Sequence, residues 1–107
     1  MSKKFLVRAK YTAAGVEGLL HKGGTARKQA VSKMIEEVGG KLESFYYSIN
    51  TDEAYVTCEL PDEITAAALA LNIDSTGKVD IDMIFLLTPE QLDEAARKIV
   101  HYKAPGQ

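Results

Sequence analysis

The chain has 107 residues, 46% of them hydrophobic and 26% charged, a composition that fits one globular domain with a single core and excludes a disordered chain. Thirteen basic against fifteen acidic residues leave a net charge of −2, without the positive excess that non-specific binding to nucleic acid or an anionic membrane requires. The longest apolar run, Ala66 to Leu71, is far short of the roughly 18 residues that span a bilayer, and Met1-Ser2-Lys3-Lys4 leads into alternating sequence rather than an apolar leader, so a cytoplasmic protein is expected.

Phe5 to Tyr11 sets Phe5, Val7, Ala9 and Tyr11 against Leu6, Arg8 and Lys10, the period of two that predicts a strand. Thr12 to His21 carries Val16, Leu19 and Leu20 at helical spacing but is broken by Gly15 and Gly18, which predicts a loop with one or two turns. From Thr25, a plausible N-cap, Ala26, Ala30, Val31, Met34, Ile35 and Val38 recur every 3.6 residues until Gly39-Gly40, predicting a helix. Leu42 to Ile49 and Ala54 to Leu60 are aromatic and β-branched runs around the polar Asn50-Thr51-Asp52-Glu53, a hairpin.

Asp62 is a natural N-cap for a helix to about Asn72. Its Ala66 to Leu71 stretch is apolar nearly all round, which predicts cover on more than one side. Lys78 to Leu87 alternates Val79, Ile81, Met83, Phe85 and Leu87 against Asp80, Asp82, Ile84 and Leu86, a fourth strand. Thr88-Pro89-Glu90-Gln91 then combines an N-cap, a proline at the first helical position and a capping-box glutamine, ahead of Leu92, Ala95, Ala96, Ile99 and Val100, which predicts a closing helix.

The order β-α-β-β-α-β with a trailing helix fits an α+β class, the ferredoxin-like split unit: an antiparallel sheet with helices on one face, residues 1–107 forming one domain. The more uniformly apolar strand sets meet the helices. The opposite face then carries Leu6, Arg8, Lys10, Leu42, Ser44, Tyr46, Tyr55, Thr57, Glu59, Asp80, Asp82, Ile84 and Leu86. Such a mixture is too apolar to face water and too polar for a dry core. The simplest cover is a second copy of the same sheet about a two-fold axis.

The candidate chemistry is sparse. His21 and His101 lie on different elements without partners at ligand spacing, so no metal site is expected. Cys58, the sole cysteine, runs in phase with Val56 and Leu60 and reads as a small buried hydrophobe, consistent with a reducing compartment. Gly23-Gly24-Thr25 at a helix start, with Lys22, Arg27 and Lys28 nearby, can offer amides and charge to an anion, or be a helix entry turn with a solvated basic rim. On the mixed face, Arg8 and Lys10 fall between Glu59 and Asp80 or Asp82 for a strand order 4-1-3-2. Those charges either fix the register of an interface or, with Tyr46, Tyr55 and Thr57, line a ligand cavity. Two carboxylates sharing a proton there could act as an acid or base.

Tyr11-Thr12 with Gly15-Val16 and Gly18-Leu19-Leu20, then Gly23-Gly24 and Arg27, then Gly39-Gly40-Lys41-Leu42-Glu43-Ser44-Phe45-Tyr46 resemble the small bacterial and archaeal GYD domain family. So do Leu60-Pro61-Asp62, Ala66 to Leu71, Leu87-Thr88-Pro89-Glu90, and Tyr102 with Pro105-Gly106. The resemblance implies a ferredoxin-like protomer in a dimeric α+β barrel, with no established activity. The Gly-Tyr-Asp signature itself is degenerate: Asn50 stands at the glycine, Asp52 at the tyrosine and Glu53 at the aspartate, so no role of that aromatic carries over.

The resulting expectation is a non-catalytic homo-oligomeric module that binds a small molecule or a protein partner, without cofactor, nucleic acid or membrane. Its candidate ligand residues are Arg8, Tyr46, Tyr55, Thr57 and Asp82 on the sheet and Gly23, Gly24 and Arg27 at the helix start. The alternative is a cofactor-independent oxygenase or isomerase acting on a small aromatic or quinone-like substrate in the barrel cavity. A haem-dependent reaction has only fold-level analogy behind it.

Overall fold

The computed structural model describes residues 2–107. Its elements run β1 (Lys3–Tyr11), α1 (Ala13–Lys22), α2 (Gly24–Glu37), β2 (Lys41–Ser48), β3 (Glu53–Leu60), α3 (Glu63–Asp74), β4 (Val79–Leu86) and α4 (Pro89–Ala96). The four strands form one antiparallel sheet in the order β2-β3-β1-β4, as the α+β ferredoxin-like reading requires. The odd-numbered side chains of β1 and the even-numbered ones of β3 are buried: Phe5, Val7, Ala9, Tyr11, Ala54, Val56, Cys58 and Leu60. Ile35 of α2, Ala66 and Leu69 of α3 and Val79 of β4 complete the core.

Four expectations change. Ala13–Lys22 is a ten-residue helix rather than a loop. The Thr12 side chain accepts from the Gly15 amide at 3.3 Å as its N-cap, and its hydroxyl lies 3.0 Å from the carbonyls of both Gly77 and Lys78. Gly15 is the contact residue, because a Cβ there would stand 2.1 Å from the Lys78 carbonyl oxygen. The glycine that looks like a helix breaker therefore lets α1 lie against backbone. Thr25 is not a cap: α2 begins at Gly24, and Gly23, at φ 85, both closes α1 and precedes α2 without a side-chain cap. A positive φ of that size suits glycine alone among common residues.

The third change concerns Leu42, expected on the mixed face. Leu42 pairs with Cys58 and Ser44 with Thr57, so a bulge leaves Glu43 unmatched. The extra residue reverses the phase of the strand before it, and Leu42 packs on the core side. The fourth concerns the last two helices. In α3 only Ala66 and Leu69 are buried, while Ile64 and Leu71 are 80% and 70% exposed. The sheet covers one side of it and no layer of this chain covers the other. The capping box at Thr88 and Gln91 forms as expected, but α4 ends at Ala96 rather than running to Val100, and it buries nothing. Leu92, Ile99, Val100 and Tyr102 are all exposed.

α4 and the tail thus form an arm. The radius of gyration is 16.7 Å, against about 13 Å for a compact domain of this length. The accessible surface is 7742 Å², against roughly 6,000 Å² expected for the mass.

Candidate functional site

Two regions collect the candidate residues, one on each face of the sheet. On the helix-free face the registers align side chains into rows across all four strands. Tyr46 stands opposite Tyr55, Tyr55 opposite Arg8, and Arg8 opposite Asp82. The next row is Ser44, Thr57, Leu6 and Ile84, and the row on the other side is Ser48, Glu53, Lys10 and Asp80. All five sheet residues singled out from the sequence therefore lie on one face, four of them in a single line. Glu59 is not near Arg8: it pairs with Lys4 and Lys41, at the far end of the face.

The polar groups of this face find one another. Arg8 Nη2 donates to Asp82 Oδ2 at 3.0 Å. The Tyr55 hydroxyl donates to Glu53 Oε1 at 2.8 Å, and the Ser44 and Thr57 hydroxyls share a hydrogen bond. Hydrogen bonding to Asp82, then its charge, raises the Arg8 guanidinium further above its ordinary value. Glu53 is held below the usual carboxylate range, first by the Tyr55 hydroxyl. Both shifts lock in charged forms, whereas a general acid or base at neutral pH needs the opposite displacement. Around these pairs the apolar groups stay open, with Tyr46 71% and Ile84 40% exposed.

Glu53, at the last position of the degenerate signature, belongs to β3 and is the acceptor just named. Asp52, one residue earlier, sits at φ 54, and its carbonyl accepts from the Tyr11 amide at 3.0 Å. The hairpin tip is thus tied to the end of β1 through backbone.

The second region lies on the helix side. α2 rests on β2 while α3 rests on β4, and between them opens a cleft of about 620 Å³, with α1 along one wall. Gly23 and Arg27, expected at an anion site, line this cleft, but Gly24 does not: it packs against the Tyr47 ring. Lys22 from α1 and Lys78 from the start of β4 join Arg27, and no carboxylate lines the space. Leu19, Ala26, Ala30, Met34, Ile73 and Val79 supply apolar wall. Beneath it, a void of about 40 Å³ between α2 and the sheet shares Tyr11, Arg27, Met34, Ile73 and Val79 with the cleft.

Arg27 Nε, buried at the cleft, has no hydrogen-bond partner, and neither does the buried Tyr47 hydroxyl, which lies outside the cleft lining. Burial, with the neighbouring Tyr11, pushes the Tyr47 phenol up to about 12, and the Arg27 charge opposes the rise. Tyr47 is therefore a neutral donor at physiological pH. Sequence reasoning groups Lys22 with Arg27 beside the glycines but misses Lys78, which is more than fifty residues from Arg27 and joined to it only by the packing of α1 on the turn before β4.

His21 and His101 are exposed, and among the described residues no group of three or more His, Cys, Asp or Glu could hold a metal ion. Among the described residues no helix is long and apolar enough to cross a membrane. The family model described as GYD domain matches residues 5–96. No curated protein and no solved structure matches the chain.

Proposed function

Since the chain belongs to the GYD domain family, we propose that it is a non-catalytic, homo-oligomeric module that binds a small molecule or a partner protein, self-associating through the helix-free face in a dimeric α+β barrel. One observation supports this most: that face sets apolar groups, the exposed Tyr46 and Ile84 and the half-buried Leu6 and Leu86, around the Arg8–Asp82 ion pair already made within the protomer. An ion pair satisfied in this way can be covered without a stranded charge, and the mixed-sign rows restrict how two copies fit together. The oxygenase or isomerase reading has less behind it, because the Arg8 and Glu53 shifts both favour the ionised forms.

Sedimentation velocity tests the reading. The wild type at micromolar concentration is expected at twice 11.7 kDa or a higher multiple, and Ile84→Glu at the protomer mass with an unchanged circular-dichroism spectrum. A wild type that sediments as a protomer overturns it.

A further inference from the structure

We infer that the cleft between α1, α2 and α3 is a binding site for a small organic anion, a carboxylate carried on an apolar body. The inference rests on the binding-module reading but not on self-association, because the cleft lies on the opposite side of the sheet from the face proposed for the second copy.

Three features point the same way. Lys22, Arg27 and Lys78 come from three separate segments to one space, with no carboxylate lining it to neutralise them. Asp74, at the end of α3 next to the lining residue Ile73, is outside the lining and accepts from the Ile81 amide at 2.8 Å. Cations gathered without counter-charge repel one another, so the arrangement favours an incoming anion.

Arg27 Nε, moreover, is buried and bonded to nothing. A buried donor without an acceptor is uncommon and calls for one. A carboxylate suits it, because a guanidinium donates through two parallel N–H groups to the two oxygens.

The walls, finally, exclude a bare inorganic ion as the preferred occupant. Leu19, Met34, Ile73 and Val79 are apolar, and Arg27, Met34, Ile73 and Val79 also line the small void between the cleft and the sheet. Its volume of about 620 Å³ lies within the range of about 300–1,000 Å³ usual for small-molecule sites. An apolar body extending from a carboxylate held at Arg27 would lie along the apolar walls of the cleft. Gly18 leaves room on the α1 wall, since a Cβ there would meet no atom within 4 Å.

The test is a titration of the ¹⁵N-labelled full chain with octanoate, followed by two-dimensional NMR, with 1-octanol and inorganic phosphate as the comparison probes. Saturable shifts are expected at the amides of Gly18, Gly23, Arg27, Ile73 and Lys78, with 1-octanol and phosphate each binding at least tenfold more weakly. Arg27→Gln should weaken octanoate at least tenfold. Gly18→Leu, which fills the cleft without displacing backbone, should do the same, and it guards against a folding defect in the arginine variant. Both variants should keep the wild-type sedimentation behaviour, which separates this site from the sheet face. Equal binding of octanoate and 1-octanol, phosphate binding as tightly as octanoate, octanoate affinity unchanged in a folded Arg27→Gln or Gly18→Leu, or shifts confined to the helix-free face would each overturn the inference.

Discussion

Arg8 and Asp82 stand directly opposite each other on β1 and β4 and are joined by a hydrogen-bonded ion pair of 3.0 Å on the helix-free face. Both side chains are open to solvent in the protomer, at 44% and 68% exposure, where such pairs contribute little to stability. In the proposed dimer their weight would fall on association. If a second copy covers the row, removing one member strands the other charge in the interface. Arg8→Met is expected to weaken self-association more than tenfold while leaving the urea midpoint of the protomer nearly unchanged. Adding Asp82→Leu should recover much of the loss, a coupling that sedimentation equilibrium across the double-mutant cycle measures. Additive, mild effects would remove this row from the interface.

The two glycines of α1 should respond oppositely to the same substitution. Gly18 is helical and unobstructed, so Gly18→Ala should stabilise by about 0.5–1 kcal/mol through lost backbone freedom in the unfolded chain. At Gly15 the new methyl would stand 2.1 Å from a backbone carbonyl oxygen, which cannot rotate away. Gly15→Ala should destabilise by roughly 1–3 kcal/mol, as over-packing does. Urea denaturation of the two variants reads both signs.

The acid limb of stability should depend on Asp62. Its carboxylate caps α3 by accepting from the Thr65 amide at 2.7 Å, and that bond holds its pKa below the ordinary carboxylate value. Glu53 and Glu63 are lowered as well, first by the Tyr55 hydroxyl and by Lys3 respectively. A lowered folded-state pKa gives stability that is present above the unfolded value and is lost as pH falls through the folded one. Unfolding should therefore begin only below the normal carboxylate range, about pH 4. Asp62→Asn keeps a capping oxygen but cannot titrate, so it should flatten the acid limb with little change at pH 7. An unaltered acid profile would show that other groups dominate it.

Cys58 should be inert until the protein unfolds. It is fully buried in the core, and desolvation pushes its thiol up to about 11, which leaves almost no thiolate, the reactive form, at pH 8. Iodoacetamide labelling in the native state should follow the global opening rate and accelerate steeply near the urea midpoint. Rapid native labelling would place the thiol outside the core described here.

The strands and their faces were legible because alternation is a local signal. Phe5, Val7 and Ala9 announce a buried side, and Thr88-Pro89 with Gln91 announces a capping box, without reference to any other part of the chain. The features that escaped depend on distant partners. Gly15 reads as a break until the Lys78 carbonyl is brought against it. The bulge at Glu43 is invisible in Leu42-Glu43-Ser44 because only the register with β3 creates it. Of the candidate site, the Tyr46, Tyr55, Arg8 and Asp82 row followed from strand phase, whereas the cleft needs α1, which the two glycines concealed. The length of α4 was misjudged for a related reason. Ile99 and Val100 keep the helical spacing, but nothing in the protomer rewards continuing it.

β1 occupies an inner position in the sheet, yet neither of its neighbours is close to it in the chain: β3 begins at Glu53 and β4 at Val79. During synthesis at about 5–20 residues per second, the edge of β1 that receives β4 stays open for roughly 3 to 14 s after Tyr11 is made. Phe5, Val7 and Ala9 wait on that edge with no partner, as an apolar strand able to pair with another nascent chain. The lysines at positions 3, 4 and 10 bracket it and give the emerging segment like charges that repel a second copy of itself. The same lysines that stand near the ends of β1 in the mature sheet therefore protect its most exposed moment, before the fold exists.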